Sequence, residues 1–153
     1  MFRTRIHNLS VSLDGFATGE PQSAEAPFGH AGERLHEWMF ATRFWDAGGT
    51  AGVDDAFAER HSHGIASPAE ALETAREAAD GQDVRIGGGP TVVRDFLAAR
   101  LVDHMHLVQV PIVLGRGVRI WDGLEALEDA YQVEAVSSPS GVTHLTFTRK
   151  VDT

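Results

Sequence analysis

The chain has 153 residues, 42% of them hydrophobic and 23% charged, which suits one globular domain with its own core and sets disorder aside. It has no cysteine, which excludes a disulfide framework, a thiolate metal site and a cysteine nucleophile and fits a cytoplasmic protein. A formal net charge of −9 argues against nucleic acid, although backbone amides at a helix start can hold an anionic ligand without net positive charge.

The N-terminus has no apolar run of signal-peptide length, and no later segment is long enough to span a membrane. Alternation of Leu9, Val11 and Leu13 predicts a strand over 5–13, ending at the Asp14-Gly15 turn. A polar loop follows from Thr18 to Gly32. Leu35, Trp38, Met39 and Phe44 then fall close to a 3–4 spacing and predict an amphipathic helix over 33–45. From Asp46 to Ile65 no period is sustained, so this stretch reads as loop with a short helix over 54–60.

Further on, Ser67-Pro68-Ala69-Glu70 reads as a helix start, with Ser as N-cap and Pro at the first helical position. That helix should run to about Asp80 and stop at Gly81. A short strand, Val84-Arg85-Ile86, leads into Gly87-Gly88-Gly89-Pro90, and a helix is predicted from Thr91 to Leu101. His104 to Leu114 is apolar at most positions, as in a central strand covered on both faces. Strands at about 130–138 and 142–149 flank the turn at Ser138 to Gly141 as a hairpin. This order predicts a single α/β domain over 1–153: a mainly parallel sheet flanked by helices, with an antiparallel hairpin at one edge.

The strongest chemical signal is the glycine turn between the 84–86 strand and the next helix. Glycines let backbone approach a ligand, and the helix start aims free N–H groups at a phosphate or pyrophosphate. A tight structural turn explains the same residues, and both readings stay open on this motif alone. It is not the G-x-G-x-x-G fingerprint. His61-x-His63 and His104-x-His106 bring no third ligand at a defined spacing, so no metal site is expected. The two rings of His104 and His106 should share one face of their strand.

The run from Val84 to Asp122 resembles the dihydrofolate-reductase-like superfamily, in particular the riboflavin-biosynthesis reductase domain and its stand-alone bacterial relatives. The resemblance rests on Gly87 to Pro90, Leu101-Val102-Asp103, Pro111-Ile112-Val113-Leu114-Gly115 and the first-strand Ser12-Leu13-Asp14-Gly15. It implies a three-layer dihydrofolate-reductase-like fold and an NADPH-dependent reductase of a small heterocyclic substrate, similar to 5-amino-6-(5-phosphoribosylamino)uracil reductase. It also implies that Gly87, Gly88, Gly89, Pro90 and Thr91 hold the cofactor pyrophosphate. Asp14 would face the substrate as a polar contact or proton relay, and its alternative role is to accept local backbone bonds in a turn. A homodimer built on the 104–114 strand and the hairpin is expected from the same relatives.

Two departures are visible. Gly87 stands where the riboflavin reductases commonly carry a Glu in the substrate site, which points to a divergent relative. Between Asp46 and Ser67 the family's G-R motif and V-x-T-type strand are absent, a shortfall of roughly 40–60 residues for a βαβ unit's worth of structure. Either the fold is a minimal form or a stretch is missing, and the expectation is a break in the chain within 46–67. Two other functions compete: dihydrofolate reduction, and a non-catalytic nucleotide-binding or oligomer-forming module. The segment that would read a 2′-phosphate is the one not found, so NADP and NAD are not distinguished.

Overall fold

A computed structural model describes residues 3–49, 52–54, 56, 69–87 and 89–151, without the side chains of 69–71 and 74. Among the described residues, seven strands form two sheets. The main sheet has five: β1 (Thr4–Ser12), β3 (Val84–Ile86), β4 (His104–Val110), β6 (Tyr131–Ser137) and β7 (Thr143–Arg149). Their spatial order is β3-β1-β4-β7-β6. β1 lies between β3 and β4 and runs parallel to both, while β7 pairs antiparallel with β4 and β6. β2 (Phe16–Thr18) and β5 (Val118–Arg119) form a small antiparallel pair beside it.

Burial follows the pleat. Ile6, Val11, Met105, Leu107 and Phe147 point to one face, where they meet Leu72 of helix α2 (Ala69–Ala78) and Phe96 and Leu97 of helix α3 (Pro90–Ala98). Val108 and Val110 point to the other face and pack with Leu35 and with Trp38 of helix α1 (Glu37–Phe40). Helices therefore cover both faces, giving the expected three layers with a mainly parallel centre and a C-terminal hairpin.

Several boundaries differ from the pattern reading, each for a local reason. The helix expected over 33–45 contracts to Glu37–Phe40. Around it the backbone bonds run mainly from i to i−3, and the Thr42 hydroxyl donates to the Met39 carbonyl at 2.6 Å, so turns replace further helix. α3 closes early because Arg100 adopts φ 56°. The Leu101 N–H then bonds to Phe96 C=O and the Arg100 N–H to Leu97 C=O, the paired closure of a Schellman cap made without glycine. β4 stops at Val110 because Pro111 has no N–H to give the ladder.

β1 carries a bulge: Ile6 pairs with Met105 and Leu9 with Leu107, so three steps on β1 oppose two on β4. Asn8 sits in it with φ 55°, a conformation Asn tolerates better than most residues. In the 46–67 stretch Val53, Asp54 and Ala56 are helical. The expected chain break there and the Ser67-Pro68 helix start lie otherwise outside the described residues. No helix among the described residues is long and apolar enough to cross a membrane.

Candidate functional site

β3 is three residues long and delivers the chain directly from Ile86 to the glycine turn, at the C-terminal end of a parallel strand. Ligands of open α/β sheets bind at such ends. A cleft of about 440 Å³ opens there, walled by Asn8 and Ser10 of β1, Thr18, Phe28, His36, Arg85 and the turn itself. Gly87, Gly89 and Pro90 line it, Thr91 stands exposed in the first turn of α3 outside its wall, and Gly88 lies outside the described residues.

Gly89 separates the two readings of this turn. It is the N-cap of α3 with φ −75° and ψ 173°, a backbone any residue adopts, so conformation does not demand glycine. A Cβ built on it meets nothing within 4 Å among the described residues, so their packing does not demand glycine either. What the missing side chain leaves is open space in front of a helix start that carries no side-chain cap. With Pro90 at the first position lacking an N–H, the amides of the first turn point outward with the positive end of the helix dipole.

Two polar side chains complete the wall. The Arg85 Nε and His36 Nδ1 are buried without a hydrogen-bond partner among the described residues. Burial pushes both groups below their ordinary pKa, so each would gain from an anionic or hydrogen-bonding guest.

Asp14 lies elsewhere. It lines a smaller recess of about 260 Å³ with Val11, Gln109, Arg119 and Trp121, outside the wall of the glycine-turn cleft. Its carboxylate accepts from Ser12 Oγ at 2.5 Å, from the Leu114 N–H at 3.1 Å and from the Gly115 N–H at 2.7 Å. Desolvation works against the charge, but these three bonds outweigh it and hold the carboxyl at about 2. It thus carries no proton to deliver at neutral pH. The geometry makes it a clasp between the end of β1 and the turn at 114–115, the alternative role left open by the Asp-Gly pattern.

The pattern reading missed a third group. His104 and His106 do share one strand face, but His106 belongs to a buried chain of polar side chains. The Asn8 amide oxygen stands 2.9 Å from His106 Nδ1, His106 Nε2 stands 3.0 Å from His144 Nδ1, and His144 Nε2 stands 2.7 Å from Asp54 Oδ1. Both rings are fully buried and lie nearly parallel, 5.2 Å apart. The Trp38 edge meets His144 at 5.3 Å, while its Nε1 donates to Ser10 Oγ at 3.0 Å. Among the described residues no group of three or more His, Asp or Glu is placed to hold a metal ion.

The family model for the RibD C-terminal domain matches residues 57–146. No curated protein matches the chain. Among solved structures, a protein of Shewanella sp. PV-4 described as belonging to riboflavin biosynthesis aligns at TM-score 0.61 and 16% identity, covering 98% of this chain and 100% of that one. The Thermotoga maritima diaminohydroxyphosphoribosylaminopyrimidine deaminase/5-amino-6-(5-phosphoribosylamino)uracil reductase aligns at TM-score 0.54 and 12% identity, covering 97% of this chain and 57% of that one. At such identities these two likenesses concern the fold.

Proposed function

The chain belongs to the RibD C-terminal domain family, and from that premise we propose that it is an NADPH-dependent reductase of a small heterocyclic substrate. The observation that carries the reading is Gly89. Neither its dihedral angles nor its neighbours require glycine, yet its bare face stands at an uncapped helix start within a 440 Å³ cleft. A pyrophosphate suits that place. Gly87 and Gly89 leave room for it, the first-turn amides of α3 donate to it, and the Arg85 guanidinium lies in the same wall as a cation for a further phosphate.

When bound, the cofactor supplies a hydride to the substrate. The chain's own part is binding and orientation: the glycine turn fixes one end of the cleft, while Asn8, Ser10 and Thr18 line its floor. Asp14 enters as a positioning carboxylate that holds the 114–115 turn, and the proton for the reduced product comes from water. Gly87, in place of a glutamate, leaves that position without a carboxylate and favours a substrate other than the riboflavin pyrimidine.

A homodimer is part of the same proposal. β4 has both edges paired within the sheet, so the expected contact moves to β6, a terminal strand of the described sheet, where Val133 and Val136 are each more than two-fifths exposed. One observation favours a second function, a nucleotide-binding module without turnover: the only carboxylate expected to act in catalysis is engaged by three donors of its own chain. A thermal-shift titration with NADPH, NADH and flavin, followed by cofactor oxidation assays, separates the two. Stabilisation by NADPH with turnover supports the reductase, stabilisation alone supports the module, and no stabilisation removes both.

A further inference from the structure

The chain has a formal net charge of −9, yet no Asp or Glu stands among the described residues that line the glycine-turn cleft. Other concavities do contain carboxylates. Asp14 and Asp122 line the smaller recess, and Glu125 and Asp129 line a cleft of about 660 Å³ beside the end of α3. Arg85 is the one lysine or arginine among the described residues of the glycine-turn wall. A concavity of that composition in an acidic protein favours an anionic guest.

Arg85 is the middle residue of β3. Val84 and Ile86 are buried in the core, so alternation turns Arg85 to the other face of the strand. The β1–β3 register sets it directly beside Arg5, and like charges so placed disfavour the sheet. Arg5 has a counter-charge in Asp83, which also accepts from the Arg3 N–H at 2.7 Å. Arg85 has no equivalent. Among the described residues its buried Nε has no hydrogen-bond partner, and its guanidinium has no carboxylate within ion-pair distance. A half-buried cation without a counter-charge costs stability, and an arriving anion removes that cost.

In the cofactor reading above, the first-turn amides of α3 serve the pyrophosphate, and Gly87 and Gly89 give it room. Arg85 leaves the strand two residues before Gly87, about 7 Å back at a rise of about 3.3 Å per residue. Its charge is therefore offset from the turn, towards a neighbouring group of the ligand. We propose that Arg85 is the specificity-determining residue that selects NADPH over NADH, by pairing with the 2′-phosphomonoester of the adenosine ribose. Sites for the unphosphorylated cofactor place a carboxylate against the ribose 2′-hydroxyl, whereas an arginine accommodates the phosphate. The described wall has the arginine and lacks the carboxylate. A guanidinium also gives two parallel N–H donors to one phosphate, which an ammonium does not. The inference rests on the cofactor reading and names which phosphate Arg85 takes.

Calorimetric titration of the full chain with NADPH and NADH, before and after Arg85→Gln, tests this without any substrate. The parent should bind NADPH at least about tenfold more tightly than NADH. In Arg85→Gln, NADPH affinity should fall about tenfold to a hundredfold, the worth of one hydrogen bond between charged groups. NADH affinity should stay within about twofold of the parent's. Arg85→Lys keeps the charge without the fork and should fall between parent and Arg85→Gln. Adenosine 2′,5′-bisphosphate and adenosine 5′-monophosphate should repeat the contrast, since they differ only in the 2′-phosphate.

Urea midpoints supply a readout that a structural arginine would move. Removal of an unpaired cation beside Arg5 should leave the midpoint equal to the parent's or raise it, and a lowered midpoint overturns the proposal. Equal losses for both cofactors would move Arg85 to the pyrophosphate, and a preference for NADPH that survives Arg85→Gln would assign the selection elsewhere. Either result overturns the proposal and upholds the cofactor reading. A parent chain that binds neither cofactor refutes the cofactor reading itself.

Discussion

Replacing Gly89 by Ala separates a ligand cradle from a structural turn. The backbone there, φ −75° and ψ 173°, accepts an L residue without strain, and the new methyl group meets no heavy atom of the described residues within 4 Å. Two small opposing effects on stability remain. The less flexible unfolded chain favours the variant by about 0.4–1 kcal/mol. Alanine is a poorer N-cap than glycine, at a cost of about 0.5–1 kcal/mol. The sum is near zero, so the melting temperature should move by no more than about 2–4 °C. Binding has no such compensation, because the methyl occupies the space in which a pyrophosphate would meet the first-turn amides. NADPH affinity should fall at least about tenfold, or about 1.4 kcal/mol. Calorimetric titration of parent and variant, each first shown to be folded, reads the difference. Equal affinities would mean that no ligand approaches this backbone, and the cleft would lose its cofactor.

Asp14→Ala removes three hydrogen bonds to a charged acceptor, and with the Gly115 amide exposed to water the loss should be about 1–3 kcal/mol, measured as a lowered urea midpoint. A midpoint equal to the parent's would refute the clasp. Asp14 also contributes to acid behaviour: its pKa is lowered in the fold, so its stabilisation is complete above the ordinary carboxylate range and disappears as pH falls from about 4 towards 2. His36, His104 and His144 act earlier. Burial lowers all three, so below about pH 6.5 the unfolded chain takes up protons that the folded chain does not, and stability should fall between pH 7.5 and 5.5. Equal urea midpoints at those two values would contradict it. Leu97→Ala opens the fully buried contact that seats α3 on the sheet, at a cost of about 2–5 kcal/mol. For the proposed dimer, sedimentation should show a two-chain species at micromolar concentration that Val136→Lys dissociates, and a monomeric parent would remove it.

The parallel centre and the hairpin were legible because their signals are local. Apolar runs mark β4, alternation marks β7, and the Ser138-to-Gly141 turn joins the hairpin. The glycine turn was legible for the same reason, since strand, glycines and helix follow one another within a dozen residues. Errors concentrate where a side chain competes with a backbone ladder. Thr42 takes a carbonyl from α1, and Arg100 supplies a left-handed cap that composition assigns to glycine. β2 and β5 are too short, at three and two residues, for any period to show.

The candidate site divides along the same line. Gly87, Gly89 and Pro90 could be read in advance, but Arg85 and His36, 49 positions apart, meet only as walls of the same cleft. The polar row behind Asn8 is further from view still. Its three hydrogen bonds join residues 98, 38 and 90 positions apart, so no window along the chain contains even one of them. A His-x-His on a strand says only that two rings share a face. What the rings do there depends on the residue opposite them, and here that residue is placed by a bulge. An inserted residue shifts every later side chain of β1 to the opposite face relative to an unbroken strand. Leu9 and Val11 thereby meet the α3 side with Ile6, and Ser10 meets Trp38. The bulge that makes Asn8 unreadable by alternation is therefore the same feature that keeps the core in register and sets a polar side chain in the cleft wall.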